Sequence, residues 1–388
     1  MPHTSSVERK TMGSAVAGST TDRPPSTRLV SLDVLRGITV AFMILVNNNG
    51  DGERAYWALK HAVWSGFTPT DLVFPSFLFL MGTSIVLAFD AQLRRGAEKS
   101  TLILHTFRRA VILFLFGLVV NGFPLFNLHT LRIYGVLQRI AICYLVCSLL
   151  YLWDRRAASK VVLLVVALLG YWIIMRWVPV PGYGLPGRDV PLLDQNGNLV
   201  AWIDRHLLPG RLYEGVRDPE GFLSTLPALG TTLLGMLTAI WLRTERALKQ
   251  KALGLLTAGL VSITLGLLWN HSFPINKKLW TSSYVLFAAG WTLLGFALCY
   301  WAVEIKGWKR GWTYFWLVFG TNAITSYMLS ELLAPTLSGL GLKARLYSTI
   351  FAPIPNAAFA SLLYSICFVL VCWIPMALLY RKRIFIKI

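Results

Sequence analysis

The chain has 388 residues, of which 55% are hydrophobic and only 14% are charged. A composition this apolar excludes an ordinary soluble domain and is typical of a protein with many membrane-spanning helices. Basic residues number 37 and acidic residues 18, so the formal net charge is +19. Because no soluble basic domain is evident, we interpret the excess as charge placed on one side of a membrane and expect no nucleic-acid partner.

The polar N-terminus, residues 1–30, lacks the apolar core of a cleavable signal. We predict a disordered cytoplasmic tail there, followed by a transmembrane domain over 31–388. A spanning helix needs about twenty mostly apolar residues, and about ten segments meet this requirement. The predicted spans are 32–49, 71–91, 102–121, 132–152, 160–178, 222–242, 252–269, 281–302, 312–333 and 357–380. The predicted fold class is therefore an all-α, polytopic membrane bundle.

Basic residues cluster in every second connection between these spans. They lie within 94–109, 155–160, 243–251, 306–310 and 381–387. The positive-inside rule then places both termini and these connections in the cytoplasm. Lys277 and Lys278 lie on the opposite, outer side, against this rule. The longest outer segment, 179–221, is rich in turn residues, and its stretch WIDRHLLPGRLY has the pattern of a short amphipathic helix over the mouth of the bundle.

The most unusual connection joins the first two spans. Asn47, Asn48 and Asn49 end the first span, His61 lies in the loop, and Asp71 begins the second span. Histidine titrates near neutral pH, and Asp71 is placed to return across the loop and fix its tautomer. Asn47 is the most deeply placed of the three asparagines. No spacing of Cys or His residues fits a metal site, so we predict no metal.

Charged residues within spans are costly and usually functional. Arg36 begins the first span, where it would either snorkel or face an anion site. Arg132, Gln138 and Arg139 lie in the fourth predicted span, with Arg139 about two turns inside it. Arg139 therefore needs an internal partner or an anionic ligand.

Eight stretches, in order, resemble the heparan-α-glucosaminide N-acetyltransferase family, which includes bacterial amino-sugar members. They are SLDVLRG, KHAVWSGFTPTDLVFPSFLFLMG, RIYGVLQRI, WIDRHLLPGRLY, DPEGFLSTLPALGTTLLG, INKKLWTSSY, FGTNAITSY and YRKRIFIKI. The resemblance runs from about Arg28 to Ile388. It implies a transmembrane enzyme that takes acetyl-CoA from the cytoplasm and acetylates the amine of a glucosamine on the other side. It also implies a bacterial inner (plasma) membrane location and, by analogy, a homodimer.

The resemblance assigns the family's active histidine to His61 and the acid of its DLVFP motif to Asp71. It assigns the family's asparagine to Asn47, with Asn48 and Asn49 as alternatives. His61 would act as general base or as a nucleophile that carries the acetyl group, and Asn47 would stabilise an oxyanion. The candidate residues for binding acetyl-CoA are Arg36, Arg109, Arg132, Gln138, Arg139, Arg381 and Lys387. The candidate residues for binding the sugar are Trp64, Asp204, Asp218 and Glu220.

Two other functions are weighed against an acetyltransferase. A transporter of amino sugars would explain the many helices and the polar groups inside them. It would also call for interrupted helices in matching halves of the chain, and the sequence shows no sign of these. A scaffold for partner proteins would need no small-molecule site.

Overall fold

A computed structural model describes residues 29–127, 129–309 and 311–386, and within these ranges the regular elements are helices. Most of the predicted tail, 1–30, therefore lies outside the described residues. The α-helices are α1 Val30–Asn47, α2 Val73–Arg94, α3 Lys99–Gly122, α4 Val136–Trp153, α5 Ala157–Trp177, α6 Leu199–Leu207, α7 Thr225–Leu242, α8 Leu248–Asn270, α9 Ser282–Tyr300, α10 Trp312–Thr321, α11 Ala323–Gly339, α12 Leu342–Leu346 and α13 Ala357–Arg381.

Nine helices in the described part of the chain are long and apolar enough to cross a membrane. They are α1, α2 with the short turn before it, α3, α4, α5, α7, α8, α9 with its continuation to Ile305, and α13. Each corresponds to a predicted span, and the predicted class of a polytopic helical membrane bundle is confirmed. Helices form here because a backbone inside a bilayer must satisfy its own hydrogen bonds.

The ninth predicted span, 312–333, is not one helix, and this prediction was wrong. The helix is interrupted at Asn322, whose φ of −122° and ψ of 42° are not helical. This residue separates the 10-residue α10 from the 17-residue α11. The Asn322 side chain donates to the Ile384 carbonyl at 3.2 Å and accepts from the Ile386 backbone at 3.0 Å. An asparagine side chain competes with the helix for backbone groups, and here its partner is the C-terminal segment.

Close helix pairs build the bundle. α2 packs on α7, α1 on α10, α3 on α4, and α8 on α9. At the α2–α7 contact, a Cβ added to Gly235 would overlap the backbone carbonyl of Phe79, and one added to Gly82 would overlap that of Thr232. Small residues at such crossings let two helix backbones approach closely, which is how helices associate where water is absent.

The bundle has two ends, which we name after His61 and Arg381. The His61 end carries the connections between α1 and α2, α3 and α4, α5 and α7, α8 and α9, and α11 and α13. The Arg381 end carries the connections between α2 and α3, α4 and α5, α7 and α8, and α9 and α10. The long segment between α5 and α7 covers the His61 end and contains α6, so a short helix is present where the sequence predicted one. A backbone bridge between Arg132 and Gly210 fastens this segment to the connection after α3. This segment therefore covers the loop that holds His61 and is fixed in place.

We predict that Gly235→Ala lowers the stability of the bundle, by about 1–3 kcal/mol, because the added methyl group pushes α7 from α2. The measurement is the midpoint of thermal unfolding in detergent. Gly170→Ala in α5 is the matched control, since nothing lies within 4 Å of a Cβ there. Equal midpoints for the two variants would contradict the close contact.

Candidate active site

The loop between α1 and α2 is organised by the Asp71 carboxylate. Its Oδ1 lies 2.7 Å from His61 Nδ1, and its Oδ2 accepts from the backbone N–H groups of Ala62 at 3.1 Å and Thr68 at 3.0 Å. The Asp71 side chain is 1% exposed, whereas that of His61 is 46% exposed. The predicted contact between Asp71 and His61 is thus confirmed. It presents an accessible imidazole whose Nδ1 faces a buried carboxylate.

Lys277, in the connection between α8 and α9, completes this cluster. Its Nζ lies 2.9 Å from His61 Nδ1, 3.2 Å from His61 Nε2 and 3.7 Å from Asp71 Oδ1. Burial lowers the pKa of Lys277, although the nearby Asp71 opposes this effect. No local sequence pattern connects this lysine with His61, because 216 residues separate the two. The only sequence signal was its position against the charge rule.

The three asparagines after α1 differ in their partners. Asn48 donates to the Ile44 carbonyl at 2.8 Å, and Asn49 donates to the carbonyls of Val46 and Leu59. Both therefore complete the end of their own helix or hold the loop. Asn47 is exposed and its Nδ2 lies 3.4 Å from Oε1 of Glu331 on α11. Asn47 is thus the asparagine that points away from local backbone. Glu331 is a neighbour that sequence reasoning did not select.

Two of the three predicted sugar-binding acids pair with a predicted acetyl-CoA-binding residue. Arg132 Nε donates to Asp218 at 2.8 Å, and its Nη2 donates to both Asp218 and Glu220. Although burial opposes its charge, these two carboxylates raise the pKa of Arg132. The structure therefore joins Arg132, Asp218 and Glu220 in one ion cluster at the His61 end.

The third acid, Asp204, is buried on α6 and accepts backbone N–H groups of Phe222 at 3.1 Å and Asp218 at 3.3 Å. Burial raises its pKa to about 7. Asp204 therefore stabilises the segment between α5 and α7 through hydrogen bonds to its backbone.

Trp64 donates through its indole N–H to the Leu193 carbonyl at 2.8 Å, and the Arg217 guanidinium lies 4.6 Å from its ring centre. It borders a cavity of about 560 Å³ that Arg176 and His271 also line. His61 is not among the residues that line this cavity. The cavity therefore lies beside the His61 cluster rather than within it.

Gln138 and Arg139 lie in the first turn of α4, because that helix begins at Val136. The expectation that Arg139 lies two turns deep was wrong, since Gly135 is still extended before the helix. Arg139 Nη2 donates to the Gly221 carbonyl at 2.9 Å. Its Nε and Nη1 are buried without a partner among the described residues, as are both ends of the Gln138 amide. Buried donors without partners are uncommon and indicate a place for water or a ligand.

The remaining candidates lie farther from His61. Arg36 donates to Asp33 at 3.0 Å, to Ser84 at 2.7 Å and to the Gly320 carbonyl at 3.2 Å. The Arg109 guanidinium, midway along α3, lies 4.7 Å from the ring centre of Tyr144.

Arg381 borders a cavity of about 500 Å³ at the Arg381 end. Tyr314, Tyr380, Arg383 and Phe385 also line it. Lys387 lies outside the described residues. The seven candidates for binding acetyl-CoA thus do not converge: three lie at the His61 end, and the described others lie toward or at the opposite end.

Comparisons with a family model and with two related proteins point to the same family. A family model described as "Heparan-alpha-glucosaminide N-acetyltransferase, catalytic" matches residues 28–277. The Homo sapiens protein named heparan-alpha-glucosaminide N-acetyltransferase is 32% identical over 359 residues, which cover 79% of this chain and 53% of that protein. The Mus musculus protein of the same name is 31% identical over 364 residues, with coverage of 81% and 55%. The chain spans about half the length of these curated relatives.

Asp204 supports a prediction about pH. Its raised pKa means that the folded chain keeps a proton that the unfolded chain releases between about pH 4 and pH 7, so its contribution to stability falls as pH rises through this window. Asp204→Asn should therefore show a smaller drop in unfolding midpoint than wild type between about pH 5 and about pH 7.5. Asp189→Asn is the control, since Arg188 holds the pKa of Asp189 below its ordinary value. The same drop in all three proteins would contradict the assignment.

Proposed function

Because this chain belongs to the heparan-alpha-glucosaminide N-acetyltransferase family, we propose that it transfers an acetyl group from acetyl-CoA to the amine of a glucosamine-type sugar. His61 is the residue at the reacting centre. The observation that carries this proposal is the exposed His61 ring hydrogen-bonded to the buried carboxylate of Asp71. An imidazole oriented by a carboxylate is the arrangement that general bases and activated nucleophiles share.

Acetyl-CoA would supply an acetyl group activated as a thioester. Overall, transfer forms a bond between the amine nitrogen and the acetyl carbon, breaks the bond from that carbon to sulfur, and moves one amine proton toward the departing sulfur. A carboxylate only accepts hydrogen bonds, so Asp71 holds a proton on His61 Nδ1 and leaves Nε2 to react. Both roles for His61, proton acceptor and acetyl carrier, use that same Nε2 lone pair. Asn47 would donate its amide hydrogens to the carbonyl oxygen as negative charge develops there.

The sugar would bind at the His61 end. Its ammonium requires an acid, and the carboxyl groups in this region are those of Glu331 beside Asn47, of Asp218 and of Glu220. The cavity beside Trp64 offers room for sugar units next to the acetylated one. Asp204 would act indirectly, by holding the segment that carries Asp218.

The CoA phosphates would bind at the Arg381 end. The cavity there combines the cations Arg381 and Arg383 with the rings of Tyr314 and Tyr380, which suits phosphates and an adenine ring. Arg36 and Arg109 would neutralise charge on the path inward. The buried donors of Gln138 and Arg139 would meet carbonyl oxygens of the pantetheine arm, near Arg132 at the far end.

This arrangement requires a fixed orientation in the bilayer. The basic connections at the Arg381 end put that end and both termini in the cytoplasm by the positive-inside rule. The His61 end then faces the outside of the inner (plasma) membrane of a bacterium. A homodimer is the expected assembly, by analogy with the family. Its mass in detergent tests this expectation.

A transporter of amino sugars is the second candidate. The helix break at Asn322 favours it, because interrupted helices inside a membrane often form substrate sites. Transport, however, needs no imidazole held by a buried carboxylate. We therefore favour acetyl transfer.

The decisive test of this function uses purified protein in liposomes of known orientation. With labelled acetyl-CoA on the Arg381 side and glucosamine on the His61 side, we expect N-acetylglucosamine from wild type. We expect a loss of about 100-fold or more from His61→Ala, because general bases contribute at least this much. Glucosamine that crosses unchanged, without acetylation, would instead establish transport.

A second test measures acetyl-CoA affinity by calorimetry. Arg381→Ala should weaken binding about tenfold or more, since hydrogen bonds to charged groups contribute about 1.5–3 kcal/mol. Arg345→Ala, an exposed arginine on α12 at the opposite end, is the matched control and should bind as wild type does. Unchanged affinity in Arg381→Ala would place the phosphates elsewhere.

A further inference from the structure

We propose that Asn322 is a positioning residue that holds residues 382–386, the C-terminal segment, as one side of the cavity at the Arg381 end. This inference rests on the proposed function. Asn322 is buried and is not among the residues that line the cavity. Its Nδ2 donates to the Ile384 carbonyl at 3.2 Å, and its Oδ1 accepts from the Ile386 N–H group at 3.0 Å. Both ends of one amide therefore bind the same segment.

These two hydrogen bonds fix the part of the C-terminal segment that lines the cavity. The Ile384 carbonyl and the Ile386 N–H group lie on either side of Phe385, so Asn322 holds the backbone before and after this residue. Phe385 lines the cavity, and its ring centre lies 6.1 Å from that of Tyr380. An exposed segment outside a helix keeps many conformations unless such bonds restrict it. Asn322 therefore determines where Phe385 lies.

The end of α13 indicates that the Arg383 side chain has a function. The Ile384 N–H group donates to the Leu379 carbonyl at 2.9 Å, and the Arg383 N–H group donates to the Tyr380 carbonyl at 3.0 Å. These are the two hydrogen bonds of a Schellman motif, which places Arg383 in the left-handed conformation with φ of 57°. Glycine is the usual residue there, because a side chain strains that conformation. Arg383 therefore costs backbone stability, and its side chain lines the cavity.

Asn322 lies at the end of a helix that is packed closely against the bundle. It follows α10 directly, and α10 contacts the backbone of α1. A Cβ added to Gly320 would overlap the Asp33 carbonyl, and one added to Gly37 would overlap the Trp316 carbonyl. The C-terminal segment is therefore held relative to α1 and α10, and not only by α13, the helix that it follows.

The held segment completes a set of cations around the cavity. Arg381 belongs to the last turn of α13, and its Nε lies 3.4 Å from the Tyr314 hydroxyl of α10. Arg383 comes from the segment itself. A guanidinium group binds a phosphate through paired hydrogen bonds, so two arginines on different elements suit a ligand with several phosphates. A segment released from Asn322 would leave Arg381 without the second guanidinium.

The first test compares wild type, Asn322→Ala and Asn356→Ala by calorimetry with acetyl-CoA and by the kinetics of glucosamine acetylation. For Asn322→Ala we expect about tenfold weaker acetyl-CoA binding, since charge-assisted contacts of the displaced segment are lost. The KM for acetyl-CoA should rise by the same factor, with kcat and the KM for glucosamine unchanged. Asn356 is the matched control, because it accepts from the Phe359 N–H group at the start of α13, at the opposite end. Asn356→Ala should lower stability and retain wild-type affinity.

The second test compares Arg383→Gly with Arg383→Ala. Both variants lack the guanidinium group and should bind acetyl-CoA about tenfold more weakly than wild type. Arg383→Gly should nevertheless unfold at a higher temperature than Arg383→Ala, because glycine adopts the left-handed conformation without strain. Wild-type affinity in both variants would overturn the role of the segment in binding.

The outcomes separate a failure of this inference from a failure of the proposed function. A wild-type protein that binds acetyl-CoA but acetylates no glucosamine contradicts the proposed function, and the affinities of the variants still decide the role of Asn322. Acetylation by wild type together with unchanged acetyl-CoA affinity in Asn322→Ala overturns the role of Asn322 alone. Equal losses of affinity in Asn322→Ala and Asn356→Ala, or a lower kcat without a higher KM, would show a merely structural asparagine and also overturn it.

A measurement on wild type covers the case in which Asn322→Ala does not fold. Hydrogen exchange, followed by mass spectrometry of C-terminal peptides, reports on the Ile386 amide that donates to Asn322. We expect this amide to exchange slowly, and to exchange more slowly still when acetyl-CoA is bound. Rapid exchange at Ile386, or exchange that acetyl-CoA does not slow, overturns the proposal.

Discussion

The buried carboxylate of Asp71 is the constraint on which the His61 end depends. A carboxylate that is 1% exposed is stable only when hydrogen bonds and charges replace the water it has lost. Those partners come from the His61 loop itself and from Lys277, far away in sequence. The Asp71 carbonyl also accepts from the Tyr284 hydroxyl of α9 at 2.6 Å. Asp71 thus joins α2 and α9 to the loops that carry His61 and Lys277. The orientation of the His61 imidazole follows from these contacts.

How far the sequence predicts this structure depends on the range of the interaction. Hydropathy identified the continuous spans because a bilayer selects on local composition. It missed the break at Asn322, since the partners of that side chain lie at the end of the chain. The Asp71–His61 contact was predictable because both residues belong to the same loop between α1 and α2. The approach of Lys277 was not, because no local pattern encodes a contact across the bundle.

The sign of a residue's charge alone predicted the role of that residue poorly. Arg132, Asp218 and Glu220 were selected separately, as groups for two different ligands, yet they bind one another. These ion pairs join the segment between α5 and α7 to the connection after α3, and their opposite charges leave a smaller net field for a substrate. Arg139 is the opposite case, because its burial leaves two of its nitrogens without a partner among the described residues. The unmet hydrogen bond, rather than the charge, is the stronger sign of a ligand.

The interrupted helix and the His61 cluster make different demands on the bundle. A transporter must expose its site to each side in turn, so its elements must move. An acetyl transfer needs the reacting groups held within tenths of an ångström, so its elements must stay in place. The His61 end is built to stay in place. The turn at Trp280 has a strained backbone, and a backbone bridge at Arg132 holds the segment between α5 and α7. Both oxygens of the Asp71 carboxylate accept hydrogen bonds. The break at Asn322, joined to the C-terminal segment near Arg36, lies toward the opposite end, where we propose that the cofactor enters. Rigidity at the His61 end and an irregular helix toward the opposite end are what the proposed transfer across a membrane would require.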